Sequence, residues 1–472
     1  MRPNFCERTA LFVSFLWLGC GGLFAQISTS TTISTSPDPI GVGVPVKIQA
    51  TVTPAPPSGR VTFYDRTTIL GTAPINPSGQ ASFTTEALLP GSHRLRALFP
   101  GATGFLGSRS SYILQETWSS PASALQVGAH YVDFGQEIEP LCMLAGDFNL
   151  DGKPDVAIGM GSYFQIYFGD GKGSFSPSAQ FNGGGTYALA SGDFRGTGLM
   201  DIVSANAGNI EFSWNQGNGS FVPGGMILTG GTVLDVNVAD FNGDGNADVV
   251  FTNGAFGINV ALGNGDGTFQ KVKNYLPQTS VYRLAVADFN GDGSPDIAFA
   301  ILADAAGLGV MYGEGGGDFA APQILFSTAV GTEVPSAVSA FDFNRDGKPD
   351  LAYVISGALH VFLGNGDGTF EPDVVYPLPA DFAEGVYPNP ISGDFNGDGK
   401  PDIAIFGSAA QEFEILYGNG DGTFQPPAPE YRPARPYFGV YGDFNGDGRM
   451  DFLVFDSRDD FNFYFQPLWG LD

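Results

Sequence analysis

A short acidic turn, DFNGDGKPD at Asp394–Asp402, recurs with variations through the C-terminal part of the chain, and no other feature limits the possible folds so tightly. Its seven copies begin at Asp147, Asp193, Asp240, Asp288, Asp342, Asp394 and Asp443, at intervals of 46, 47, 48, 54, 52 and 49 residues. Each copy follows an alternating segment such as YRLAVADF and precedes an apolar run such as DIAFA or DVVFT. After a third predicted strand comes a second marker, as in LGNGDGTF or YGEGGGDF. A period near 50 residues holding about four short strands is the signature of a β-propeller blade. The expectation is an all-β chain in which residues 129–472 form a seven-bladed propeller. The seventh unit ends after DFLVF and FNFYFQPLWG without a second marker. Residues around Ala129–Glu137 are expected to supply its outer strand, which closes the ring and leaves no edge unpaired.

The turn itself carries a chemical signature. Positions 1, 3, 5 and 9 are Asp, Asn, Asp and Asp, so alternate residues of an extended turn bring oxygens inward while the glycine at position 6 folds the backbone around them. In the sixth copy Asp394, Asn396, Asp398 and Asp402 are the candidate ligands, and Lys400 offers its backbone carbonyl. Oxygen-only ligands in a flexible loop suit Ca²⁺ better than Mg²⁺ and do not favour soft metals. The other intact sets are Asp147, Asn149, Asp151 and Asp155; Asp240, Asn242, Asp244 and Asp248; Asp288, Asn290, Asp292 and Asp296; Asp342, Asn344, Asp346 and Asp350; and Asp443, Asn445, Asp447 and Asp451. Asn-Gly and Asp-Gly pairs also make ordinary hairpin turns. A hairpin, however, does not need three carboxylates at fixed offsets, which repel one another unless a cation sits among them. The second copy, DFRGTGLMD, keeps Asp193 and Asp201 but has Arg195 and Thr197 at positions 3 and 5. Arg195 is expected to substitute its own charge there, leaving about six calcium sites. The phenylalanines that end the second marker (Phe175, Phe221, Phe269, Phe319, Phe370 and Phe424) are expected to pack between blades, since Phe is usually buried.

Charge fits this reading. The formal net charge is −28, against nucleic acid or an anionic membrane surface as partner. Six divalent ions add twelve positive charges and would take −28 to −16. Cysteine offers no alternative staple: Cys6 and Cys20 lie in or beside a predicted signal segment, which leaves Cys142 alone. That segment, residues 1–25, places Arg2 and Arg8 around the apolar stretch 10–18 and ends at Leu23-Phe24-Ala25, a pattern for export. Lipidation at Cys20 is the alternative reading of LWLGCGG. No later segment is long and apolar enough to span a bilayer.

Residues 28–116 show short alternating strands, Val44-Val46-Ile48-Ala50-Val52, Val61 with Phe63, and Leu95-Ala97-Phe99, separated by PAPPSG, NPSG and LPGS. This stretch predicts a β-sandwich, and it resembles the bacterial Ig-like domains of exported surface proteins. Residues 117–128 are expected to be a linker. The seven C-terminal units resemble the FG-GAP/VCBS repeats of secreted bacterial proteins, related in fold to the propeller of integrin α-subunits; DFNGDGKPDIAI and LGNGDGTF carry the likeness over about residues 140–468. The resemblance implies calcium in the six intact turns, in a structural more than a catalytic role.

The function expected from these features is a monomeric calcium-binding module, secreted or on the cell surface, that recognises an extracellular glycan or protein and acts in adhesion. The alternatives are a secreted propeller enzyme acting on polysaccharides or alcohols, and a purely architectural surface protein. Against an enzyme, the chain has three histidines, His93, His130 and His360, and neither G-x-S-x-G nor H-E-x-x-H.

Overall fold

The N-terminal alternation resolves into two stacked sheets. The computed structural model describes residues 26–470 apart from 87, 123–124, 128–131, 134–139, 162, 183–185, 303–305, 328–336, 356, 380–389, 407–412, 427, 430–435 and 460–461. The expected signal segment with Cys20, and His130, therefore lie outside the described residues. Ser30–Ser36, Val46–Thr53 and Gln80–Thr85 form one sheet. Ile40–Gly41, Ile113–Trp118, Gly91–Phe99, Arg60–Asp65 and Thr68–Pro74 form the other, with Ser108–Arg109 added to Gly91–Phe99. Val46, Ile48, Ala50 and Val52 share one buried core with Val61, Phe63, Leu95, Ala97 and Phe99. Val44 was expected in that alternation but is 47% exposed, because the strand begins at Val46. Period-2 burial fails in three adjacent strands of the second sheet, Arg60–Asp65, Thr68–Pro74 and Gly91–Phe99. In Arg60–Asp65 the intervening Thr62 and Tyr64 are buried as well, so something covers the outer face of this strand.

Among the described residues seven further antiparallel sheets of four or five strands follow, each starting with the strand that leads into an acidic turn, beside a two-stranded ribbon of Gly313–Gly315 and Asp318–Phe319. The sixth is representative: Pro390–Gly393, Asp402–Ile405, Glu414–Leu416 and Ala428–Pro429. All seven keep one register, in which the closing Asp pairs with the residue just before the motif, as in Gly146↔Asp155 and Gly393↔Asp402. The second strands are buried on both faces, as a strand between two packed neighbours must be. Seven separate cores hold the sheets together, one between each sheet and the next. The last of them joins Phe444 and Leu453 of the seventh sheet to Val156, Ile158 and Met160 of the first. The seventh sheet is completed by chain from before the first: Leu125–Val127 and Val132–Asp133 pair with Asn462–Gly470, in the register Leu125↔Gly470 and Val132↔Phe465. Part of the expected linker, 117–128, thus has strand pairing of its own. Thr117 and Trp118 end a strand of the sandwich and Leu125–Val127 belongs to the seventh sheet.

The two sequence markers meet across six of the seven boundaries between sheets; between the sixth and seventh, where no second marker exists, Phe395 packs on Tyr441 and Phe452 instead. Phe221 lies against Phe148, Phe269 against Phe194, Phe319 against Phe241, Phe370 against Phe289 and Phe424 against Phe343, at centroid distances of 5.5–6.4 Å. Phe175 closes the series on Phe444 at 6.0 Å. Each pair joins the ring that ends one sheet's second marker to the ring at position 2 of the preceding sheet's acidic turn. Tilted and edge-to-face pairs of this kind are favourable beyond the area they bury.

What covers the outer face of Arg60–Asp65 is the ring of sheets. Tyr64, Ile69 and Leu98 of the sandwich share a core with Phe194, Val236 and Ala247 of the second and third sheets. On the other side Ser120 N donates to Gly448 O at 2.7 Å and Ala122 N to Asn396 O at 2.9 Å. The sandwich is therefore docked against the side of the ring that carries the acidic turns. Among the described residues the one helical element is the 3-10 turn Gly254–Phe256, and no helix is long and apolar enough to cross a membrane.

Candidate metal centre

In the sixth turn, Asp394 Oδ1 accepts from Asp398 N (3.1 Å) and its Oδ2 from Gly399 N (2.9 Å). Asn396 Oδ1 accepts from Asp398 N (2.9 Å) and Asp398 Oδ1 from Lys400 N (2.9 Å). The turns at Asp147, Asp240, Asp342 and Asp443 repeat all four bonds. Such tight winding needs two left-handed residues, supplied here by Gly397 (φ 71°) and Gly399 (φ 79°).

The closing Asp has a second task that its sequence position did not reveal. Asp402 is fully buried; its Oδ2 accepts from Phe395 N (3.0 Å) and its Oδ1 from Gly418 N (2.8 Å) in the second marker. Asp155, Asp248, Asp296 and Asp350 do the same with Gly169, Gly263, Gly313 and Gly364. One carboxylate therefore ties the acidic turn to the hairpin two strands later. At Gly418 the glycine is required for steric reasons, since a Cβ there would lie 1.9 Å from the carbonyl oxygen of Pro401; the second sheet has Asn215 at the equivalent place, donating to Asp201. Gly418→Ala is expected to lower the chain's stability by about 3 kcal/mol or more, because both partners are backbone or buried carboxylate and neither can yield. A urea titration of the variant beside the wild type measures this, and an unshifted midpoint would count against the pinning role.

Electrostatics make these turns costly to bury as they stand. Burial pushes the carboxyl groups of Asp155, Asp296, Asp350 and Asp402 up to about 7 and that of Asp248 up to about 8. The N–H bonds from the marker glycine and the turn Phe oppose the rise, while the carboxylate at position 1, and in most turns that at position 5, adds to it. Asp394 is pushed up to about 6, again chiefly by burial. Among the described residues no three Asp, Glu, His or Cys side chains converge into a ready-made metal cage, and the turn carboxylates are directed to backbone N–H groups. The donor set still fits a hard cation. It is all oxygen, it is mutually repulsive, and in the fourth turn Asp288 Oδ1 is buried and meets no hydrogen-bond donor.

The second turn places a cationic side chain on its buried closing Asp. Arg195 grips the fully buried Asp201 with both arms, Nε to Oδ2 at 3.0 Å and Nη2 to Oδ1 at 2.6 Å. The guanidinium also donates to Asn215 O (2.7 Å) and lies 5.3 Å from the Trp214 ring centroid.

A family model described as FG-GAP-like repeat matches residues 147–204, 193–251, 240–299, 288–353, 342–405 and 394–454. The chain belongs to the FG-GAP repeat proteins. Ahead of these repeats, residues 32–116 match the bacterial Ig-like domain (group 3). Integrin alpha-3 of Mus musculus is 34% identical over 104 residues, and integrin alpha-3 of Cricetulus griseus matches at the same level. The match takes in 20% of this chain and 10% of each relative, so the chain spans about a tenth of the length of these integrins. Among solved structures, an Agrocybe aegerita lectin described as recognising non-reducing terminal N-acetylglucosamine aligns at 20% identity with a TM-score of 0.46, over 79% of this chain and 89% of that one. BBS1N in complex with ARL6DN aligns at 12% identity and a TM-score of 0.45, over 72% and 98%.

The FG-GAP turns also receive side chains of the Ig-like domain that sequence reading missed: Arg94 and Arg109 donate to Gly347 O and Gly243 O, and the others come from one hairpin. Tyr64 OH donates to Asp240 Oδ2 (2.6 Å), and Thr62 Oγ1 to Gly245 O (2.7 Å). Arg60 Nη2 meets Asp193 Oδ2 at 3.1 Å beside the Thr72 hydroxyl, and Arg66 lies 3.6 Å from Asp342 Oδ2. The available signal was RVTFYDR itself, a strand flanked by arginines and carrying large residues on both faces.

The described histidines serve the fold. His360 Nδ1 pairs with Asp373 at 2.6 Å under the Phe326 ring. His93 Nδ1 pairs with Asp65 at 2.6 Å, and its Nε2 lies against Leu89 O and Thr117 Oγ1. Burial alone would lower the His93 value, but Asp65 outweighs it and the imidazole is raised above 6.5. Asp65 is likewise raised by burial, yet His93 brings it below 3.8. The stability from His93 is thus full below pH 6.5 and fades as pH rises through its folded value. That from Asp65 is full above 3.8 and fades as pH falls through its own. The wild type is expected to lose stability from pH 6 to pH 8 relative to His93→Gln, measured by denaturant midpoints; parallel pH profiles would refute the assignment. The described thiol, Cys142, is pushed by burial up to about 12 and is inert at neutral pH.

Proposed function

We propose that the chain is an exported, non-enzymatic binding module in which six Ca²⁺ ions stabilise the FG-GAP ring and an extracellular glycan or protein is recognised on the side away from the acidic turns. The calcium reading rests on one contrast. The turn that lacks the ligand set brings its own cation, Arg195, onto the closing Asp. In the turns that keep the set, Asp155, Asp248, Asp296, Asp350 and Asp402 are just as buried and accept backbone N–H groups. Asp147, Asn149, Asp151 and Asp155, with their five counterpart sets, would hold the ions. Oxygen ligands of this kind supply neutralising charge and stiffness; no chemical step is assigned to them.

The recognition side follows from what is covered. The Ig-like domain lies against the acidic turns, which leaves the opposite rim, where the first strands begin and the second strands end. Tyr187, just before Ala188–Gly192, and Phe256, in the turn after Asp248–Thr252, both stand on that rim and are 37% and 54% exposed. Exposed aromatics beside polar backbone are the groups that stack on sugar rings or anchor protein partners. The test is binding of labelled full-length chain to a glycan array and a panel of extracellular proteins, with calcium and with chelator. Retention that is lost on chelation and weakened by Tyr187→Ala supports the reading. A chain that binds nothing in calcium overturns it in favour of a purely architectural role, and a Tyr187→Ala variant that binds equally well overturns the recognition side.

A further inference from the structure

The Ig-like domain reaches the acidic turns in a repeated way. Its hairpin from Arg60 to Pro74 reaches one particular atom, Oδ2 of the first Asp of a turn, in three different sheets: Arg60 with Thr72 hydrogen-bonds to Asp193, Tyr64 hydrogen-bonds to Asp240, and Arg66 forms an ion pair with Asp342 at 3.6 Å. In all three the same Oδ2 also accepts the N–H of the position-6 glycine, Gly198, Gly245 or Gly347, at 2.8–3.0 Å. At the second turn, where Arg195 replaces the ion, the partner is a full charge. At the third, whose ligand set is intact, it is a neutral hydroxyl, and both partners are buried: Tyr64 is 1% exposed and Asp240 4%.

We infer that Tyr64 is a positioning residue for the cation of the third turn, so that filling this turn and docking the Ig-like domain strengthen each other; the inference rests on the calcium reading above. A carboxylate oxygen offers two acceptor directions. On Asp240, Tyr64 OH and Gly245 N occupy those of Oδ2, while Oδ1 takes Asp244 N (3.0 Å) and keeps its second lone pair for an ion. A buried hydrogen bond to the outer oxygen fixes the rotamer of the ligating group. Outer-shell donors of this type typically change metal affinity by about 10–100-fold. Because Tyr64 belongs to the other domain, the same free energy must appear in docking, as linkage requires. Thr62 Oγ1 on Gly245 O holds the loop from the same strand and keeps the hydroxyl in register.

The test is a calcium titration of the full chain by thermal midpoint for wild type, Tyr64→Phe, Asp244→Asn and the double variant, with Tyr64→Phe/Asp398→Asn as the comparison pair in the sixth turn. Tyr64→Phe keeps the buried ring, so the variant is expected to fold and to show one class of site weakened about tenfold or more. Its effect should vanish once Asp244→Asn has disabled the third turn, and persist unchanged beside Asp398→Asn. Additive effects in both pairs, a titration that overlays the wild type, or a midpoint lowered equally in calcium and in chelator would each overturn the positioning role while leaving the calcium reading intact. A wild type that ignores calcium altogether would remove both.

Discussion

Chelating divalent cations is expected to lower the melting midpoint of the full chain by about 20 °C, with calcium restoring it and equimolar magnesium restoring little. An ion present at a hundredfold excess over its Kd stabilises the folded form by about 2.7 kcal/mol, and six such ions sum to ~16 kcal/mol. Chains of this size gain or lose roughly 2 °C or less per kcal/mol, so most of the set must be lost to reach ~20 °C. Carboxylates that would bind the ions are a liability without them, since burial and mutual repulsion already raise Asp155, Asp248, Asp296, Asp350 and Asp402 far above the ordinary range. Magnesium is a poor substitute because it demands a smaller, regular octahedron and sheds water reluctantly. A midpoint that does not move on chelation would refute calcium as a structural partner of these turns.

Arg195→Met is expected to destabilise the chain by about 3–5 kcal/mol, and calcium should not repair it, because removing one partner leaves a buried charge with nothing to balance it. Asp201 is the charge in question, fully buried and gripped by both arms of the guanidinium. Arg195→Asn together with Thr197→Asp restores the missing ligand types at positions 3 and 5, between the Asp193 and Asp201 already present at positions 1 and 9. That double variant should be as unstable as Arg195→Met in chelator, yet recover in calcium and bind one ion more than the wild type by equilibrium dialysis. Equal stability of Arg195→Met and wild type, or a double variant indifferent to calcium, would show that the guanidinium is not standing in for an ion.

Much of the ring was legible because its repeats encode both halves of each contact. Position 2 of the acidic turn and the last residue of the second marker are both Phe, and pairs such as Phe370 with Phe289 follow once sheets stand side by side. That Arg195 answers the closing carboxylate of its turn was legible as well, since a cation stands at position 3 of a turn that keeps Asp201 at position 9. The return of the chain before the first repeat onto the last strand was expected from the missing marker, and Val132–Asp133 pairs there within the expected stretch; the added pairing of Leu125–Val127, a segment whose composition reads as a linker, was not. Docking of the Ig-like domain was not legible. Val61 and Phe63 announce a strand, but the burial of Thr62 and Tyr64 depends on a surface more than a hundred residues away along the chain, and no local pattern specifies it. Nor does spacing tell that Asp402 serves Gly418 as well as its own turn.

The antiparallel pairing of Leu125–Val127 with the end of Asn462–Gly470 has a consequence for biogenesis. Six sheets can form in order as the polypeptide is made, but the circle stays open until its final strand emerges, because that strand's partner was synthesised more than three hundred residues earlier. Long-range pairing of this kind is slow and leaves sticky edges in the meantime. A nascent chain halted before Asn462 should therefore be a good client for holding chaperones, and release of the last nine-residue strand should end that dependence.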